Sequence, residues 1–246
     1  MAALTSIKGA FSSYSKNIVG YLLSSLVYFI WMLVAIGLPF GLFALSMLAL
    51  GAISTGGDVA QTLISSPLVA IIFGVWMLAV FIIQAFFVSS GIGAYLNACY
   101  SIATGKVPTI LGMIEYGIKN GGRFLILMLI LCAIFGIFLM PALLAFALTK
   151  NVLISAALLA CGLFLMALVK FFFMFCFPAA AIDKATPLGA LSHSLKLVTR
   201  NIVQCIIFTI LFGVLSLVLG FIPIVNMFVL APVLMSALAL FYKSLN

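Results

Sequence analysis

Catalysis needs acids, bases, nucleophiles or metal ligands gathered in one place, and this chain carries few of them. Its only carboxylates are Asp58, Glu115 and Asp183, and its one histidine is His193. Nothing pairs the carboxylates at a spacing suited to general acid–base work, so all three read as solvated or interfacial charges. His193 stands between Ser192 and Ser194. Adjacent residues on a helix do not face each other, so no Ser-His-Asp arrangement can be drawn from the local sequence. No second histidine supports a metal. Cys99, Cys132, Cys161, Cys176 and Cys205 lie in or beside apolar runs with no CxxC spacing. They read as small buried apolar side chains rather than a disulfide framework or a metal site. The expectation is no catalytic residue, no metal and no cofactor.

Lys170 is the exception to this sparse picture. It sits inside the run Leu163-Phe164-Leu165-Met166-Ala167-Leu168-Val169-Lys170-Phe171-Phe172-Phe173. A lysine at the centre of a membrane helix costs roughly 2.5–3.5 kcal/mol on insertion scales. One reading makes it a polar contact in a pathway or a lipid-phosphate site. The other has it snorkel to the nearby interface. Gln84 and Gln204 are the other intramembrane polar candidates, and both are expected to bond across helices.

The element that must position these residues is a membrane bundle. The chain has 246 residues, 67% hydrophobic and 6% charged, with a mean hydropathy of +1.47. Soluble domains carry about 25% charged residues. Long continuous apolar runs mean helices, because a membrane barrel alternates in short segments. Six spans are predicted, at 18–50, 67–100, 124–148, 152–178, 202–222 and 227–242. Gly37-Leu38-Pro39 is expected to kink the first, and Gly91 and Gly93 to mark the exit of the second. The first run is far longer than a signal-peptide core of roughly 7–15 residues, so it reads as a retained helix.

The net charge of +8 is topological. Six spans put both termini on one side. That side would hold Lys8, Lys16, Lys106, Lys119, Arg123, Lys184, Lys196, Arg200 and Lys243, and the other side Lys150 alone. This asymmetry places both termini in the cytoplasm of a cell-membrane protein. A nucleic-acid partner would need a water-exposed basic module, which is not predicted. Anionic lipid headgroups fit the basic side, at about 1 kcal/mol per Lys or Arg near the surface.

A short stretch recurs ahead of the apolar runs, as Gly9 to Lys16, Gly112 to Lys119 and Gly189 to Lys196, each a glycine with a lysine seven positions on. In the first copy Ile7, Ala10, Phe11 and Tyr14 share one helical face, and Lys8, Ser12, Ser15 and Lys16 the other. The fold class expected is therefore all-α and polytopic. It comprises three parallel helical-hairpin repeats, each preceded by a cytoplasmic amphipathic helix, in one membrane domain with repeat units at about 5–100, 108–178 and 186–246. Lys8, Lys16, Lys119, Arg123, Lys196 and Arg200 are the candidate interface and headgroup residues.

The third segment runs from Pro178-Ala179-Ala180-Ala181-Ile182-Asp183 to Gly189-Ala190-Leu191-Ser192-His193-Ser194-Leu195-Lys196-Leu197. With the ending Ala231-Pro232-Val233-Leu234 through Leu240-Phe241-Tyr242-Lys243-Ser244-Leu245, it resembles a broad group of six-span proteins. The group includes the membrane domain attached to some glycerophosphodiester phosphodiesterases and related stand-alone proteins. Leu195 stands where an aromatic is common in that group. The resemblance covers mainly residues 178–246. It implies a six-helix membrane module that is often an accessory, without the phosphodiesterase catalytic domain. The expected function is a non-catalytic module that packs with other membrane proteins or organises lipid. The alternative is a transporter or channel for a small or lipid-like molecule, with Lys170, Gln84 and Gln204 near its path.

Overall fold

The structure, a computed structural model, describes residues 2–54, 67–149, 151–219 and 221–246. Asp58 and Lys150 lie outside the described residues, which are almost all helical and include no strand. Helix α1 is Ala2–Lys16, α2 Ile18–Ser54, α3 Pro67–Ala103, α4 Ile110–Thr149 and α5 Val152–Phe172. Then come α6 at Cys176–Ile182, α7 at Pro187–Arg200 and α8 at Ile202–Leu219. A single turn, α9 at Pro223–Val225, and a π-helical segment at Asn226–Leu230 lead into α10 at Ala231–Leu245. Five stretches are long and apolar enough to cross a membrane, or six if the bent pair α7–α8 counts as one.

Helix α2 runs unbroken through Pro39, and α4 through Pro141. The fourth apolar run does break, at Phe173–Phe175. Pro178 then falls in the first turn of α6, where its missing N–H is no loss. The gap is bridged by Ser194, whose Oγ donates to the Phe172 carbonyl at 2.9 Å and accepts from the Phe175 N–H at 3.1 Å.

The α2/α3 hairpin keeps one antiparallel register. Gly20 faces Ile102, Trp31 faces Gly91, and the Trp76 indole donates to Ser46 Oγ at 2.7 Å. From Gly20 to Ser46 that is about 39 Å at 1.5 Å per residue, more than a hydrocarbon core of about 30 Å. Gly91 and Gly93 lie inside α3, which continues to Ala103. They are notches: a Cβ at Gly91 would lie 2.7 Å from the Trp31 ring, and one at Gly93 2.4 Å from that of Phe124.

Burial is concentrated at one end of the bundle. It falls on the early part of α2 (Tyr21, Ser25), the late part of α3 (Tyr95, Cys99), early α4 (Phe124, Leu127), α6 (Ala179, Ala180), early α8 (Cys205, Phe208) and α10 (Ala237, Tyr242). That alternation is what spans running up and down require. Among the described residues, 209–226 include no buried side chain, and the outer part of α4 only Ala142. Helix α1 packs on α10, so both ends of the chain lie at the packed end.

The three basic stretches are built differently. The first is all of α1, closed at Asn17, and the third is α7, which turns 98° into α8 at Asn201. The second does not stand apart, because α4 carries it straight into the span. The apolar faces of α1 and α7 cover protein. Ala3, Ile7 and Ala10 join the core on one, and Ala190, Leu191, Leu197 and Val198 on the other. Phe11 is exposed, so the buried face of α1 is rotated from Ile7–Phe11 toward Ala3–Ala10.

Candidate functional site

The polar groups of this chain are concentrated in the packed end, in two networks. The first hangs on tyrosines. Tyr14, Tyr21 and Tyr28 recur every seven residues across α1 and α2 and so share one face. Ser13 Oγ lies 3.0 Å from Tyr21 OH, and Ser236 on α10 donates to that same oxygen at 2.9 Å. Ser25 pairs with Tyr95 OH at 2.8 Å, and Tyr28 stacks on the Tyr95 ring at 4.4 Å. Tyr14 OH donates to the Phe228 carbonyl at 3.0 Å, the carbonyl four residues before Pro232, which has no N–H to offer it. These bonds fasten α1, α2, α3 and α10 together. They use hydroxyls that burial would otherwise penalise by about 1–3 kcal/mol each.

The second network closes on α6. The carbonyls at its C-terminal end carry partial negative charge. Tyr116 OH donates to Ala181 O, and Arg123 Nη1 to Ala180 O at 3.3 Å. Asp183 caps the helix and receives Tyr242 OH, Lys243 Nζ and Asn246 Nδ2 from the end of α10. Lys184 follows with φ of +53°, a left-handed conformation that costs a side-chain-bearing residue on the order of 1–3 kcal/mol. His193 lies edge-on to the Tyr242 ring at 5.8 Å, and its Nε2 is buried without a partner among the described residues.

The glycine of each basic stretch has a local cause. Thr109 Oγ1 accepts from the Gly112 N–H at 3.1 Å, and Thr186 Oγ1 from the Gly189 N–H at 3.3 Å, so both helices start on a threonine N-cap. A Cβ on either glycine would lie within 2.9 Å of that capping oxygen. The same hydroxyl-x-x-Gly spacing exists at Ser6 and Gly9, but α1 has already begun there and Ser6 bonds back to Ala2 O. The spacing was visible in the sequence as a helix-start signal beside the glycine and lysine.

Among the interface candidates, Lys8, Lys16, Lys119, Lys196 and Arg200 are exposed, and Arg123 is half-buried on Ala180 O. Every Lys and Arg among the described residues falls in the packed half, including Lys170 in the last turn of α5. The intramembrane candidates do not converge. Lys170 is exposed on α5, Gln204 is exposed on α8, and Gln84 is half-buried on α3. Neither glutamine forms the cross-helix hydrogen bond expected of it among the described residues. Glu115 is exposed on α4, and Asp183 forms the one ion pair among the described residues. Cys99, Cys176 and Cys205 are buried as expected of small apolar side chains, whereas Cys161 is exposed on α5.

Between α2 and the start of α4 lies an apolar groove of about 240 Å³, walled by Val27, Ile30, Trp31, Val34, Phe87 and Ile114. It joins, through Val27 and Ile110, a small crevice of about 30 Å³ beside Gly20, Ser24 and Thr109. Compared with family models, with curated proteins and with solved structures, the chain matches none.

Proposed function

We propose that this protein is a non-catalytic integral membrane module that gathers anionic lipid at one face of the bilayer and packs with other membrane proteins. In this reading it sits in the cell membrane as six spans, in three parallel hairpins with their amphipathic stretches on the cytoplasmic side. It is akin to the six-span accessory group that its C-terminal third resembles. The supporting observation is the polarity of the bundle. The packed end holds all the described basic residues, five candidates among them exposed on α1, α4 and α7, while the other end exposes apolar helix faces in α2, α3, α4 and α8. The positive side faces the cytoplasm by the usual loop bias. There each exposed Lys or Arg attracts anionic headgroups by about 1 kcal/mol. The unpacked apolar faces fit either lipid or neighbouring spans.

The alternative of a transporter with Lys170, Gln84 and Gln204 along its path has less support, because the three side chains lie on separate helices and two face outward. Extraction in polymer discs directly from native membranes separates the readings. Discs with a stoichiometric protein partner, or with lipid enriched in anionic headgroups, are the expected result. A lone particle with bulk lipid that moves a solute across reconstituted vesicles would refute the module.

A further inference from the structure

We infer that the crevice and groove between α2 and α4 form a binding site for one anionic glycerophospholipid, its acyl chain along the groove and its phosphate-ester region at the crevice. This deepens the lipid-organising reading and rests on it.

The groove supplies the tail site. Its walls are apolar side chains of three candidate spans, so what fills it in a bilayer is an acyl chain rather than water. Trp31 is held in place there by its indole N–H, which donates to the Phe87 carbonyl at 2.8 Å. The crevice supplies the head site. Ser24 is 6% exposed, lines the crevice, and makes no hydrogen bond among the described residues. Serines within helices usually bond back to the carbonyl four residues before, as Ser46, Ser155 and Ser216 do here. The Ser24 oxygen therefore stays open to the crevice it lines, where an oxygen-bearing ligand can accept its proton. Thr109 Oγ1 accepts the Gly112 N–H, which leaves its own proton free to donate into the same crevice. Glycine at position 20 keeps the opposite wall low, and the crevice has room for a water-sized group.

Charge selects the headgroup. Lys16 precedes Gly20 by four residues and Lys106 precedes Thr109 by three, and both are exposed. A phosphate diester with a neutral or no second cation fits this pair better than a zwitterionic head does.

Trp31 reports on its own groove. The chain has two tryptophans, so Trp76→Phe leaves Trp31 alone. The protein is reconstituted into vesicles containing phosphatidylglycerol or phosphatidylcholine with brominated acyl chains, and quenching is followed against the mole fraction of brominated lipid. The site predicts half-quenching by phosphatidylglycerol at an about fivefold to thirtyfold lower mole fraction than by phosphatidylcholine, the preference expected of one to two lysines. Lys106→Gln should cut that preference without lowering maximal quenching, and Ser24→Val, which fills the crevice, should abolish it. A reference tryptophan, Ile36→Trp with Trp31→Phe and Trp76→Phe, sits on an exposed face of α2 and should show no preference. Equal quenching of Trp31 by both lipids, no quenching by either, or the same preference at position 36 would overturn the site. If those results came with anionic lipid still enriched in native discs, the groove assignment alone would fall. If the enrichment were missing too, the lipid-organising reading would fall with it.

Discussion

The tightest contact between α3 and α4 makes a quantitative test of the packed end. An alanine Cβ at Gly93 would lie 2.4–2.6 Å from three atoms of the Phe124 ring, against about 3.5–4.0 Å for carbons in contact. Phe124 is fully buried and stacked at 6.2 Å on Phe177, so the ring cannot swing clear without disturbing its neighbour. Overpacking of this kind costs about 1–3 kcal/mol, and the better helix propensity of alanine returns about 1. Gly93→Ala should therefore lose about 0–2 kcal/mol. Gly122→Ala is the matched control, since Gly122 has nothing within 4 Å, and it should gain up to about 1 kcal/mol. Reversible unfolding in mixed micelles, followed by circular dichroism, should separate the two variants by about 1–3 kcal/mol. In a Phe124→Leu background the Gly93→Ala cost should shrink, giving a coupling energy of at least about 0.5 kcal/mol. Gly93→Ala as stable as Gly122→Ala, with effects additive to Phe124→Leu, would refute the close α3/α4 approach.

Other substitutions probe the clamp on α6 and the outward face of α5. Asp183→Asn should lower stability in the same assay by about 1 kcal/mol, below the about 1.5–3 kcal/mol of charged hydrogen bonds, because the pair with Lys243 is about a third exposed. Tyr116→Phe removes the donor to Ala181 O and should cost about 1–3 kcal/mol, with faster amide exchange in α6. Lys184→Gly relieves the left-handed backbone and should stabilise by about 0.5–1 kcal/mol after the added chain entropy of glycine, whereas Lys184→Val should destabilise. Lys170→Leu should leave stability undiminished, because that side chain is exposed at the end of α5, and should lower the anionic enrichment of native discs by one cation's share only, about 1 kcal/mol.

The helical class and the positions of the long apolar stretches were legible in the continuous apolar runs, because runs of that length fit helices long enough to cross a membrane. Boundaries were legible where a backbone signal enforced them, as with Asn17, Asn151 and Thr186. They were not where a distant partner decided. The break at Phe173–Phe175 depends on Ser194, about twenty residues on. That the glycines at 91 and 93 are contact notches depends on Trp31 and Phe124, which lie far away in sequence. Of the candidate site, the basic residues could be read from spacing. The tyrosine network could not, because Tyr14 and Tyr21 find Phe228 and Ser236 more than two hundred residues away. The weight placed on Lys170 came from its apolar neighbours in sequence, and those neighbours do not say which way the side chain points.

The central claim is that the basic packed end gathers anionic lipid. The direct measurement is the headgroup composition of native polymer discs holding the protein, compared with the surrounding membrane and with a variant carrying Lys8→Gln, Lys16→Gln, Lys119→Gln, Lys196→Gln and Arg200→Gln. All five side chains are exposed, so the variant should fold. Anionic lipid should be enriched around the wild-type protein and clearly less so, shifted toward the bulk ratio, around the variant, which keeps Lys106, Lys170, Lys184 and Lys243. The same bulk ratio around both proteins would contradict the claim.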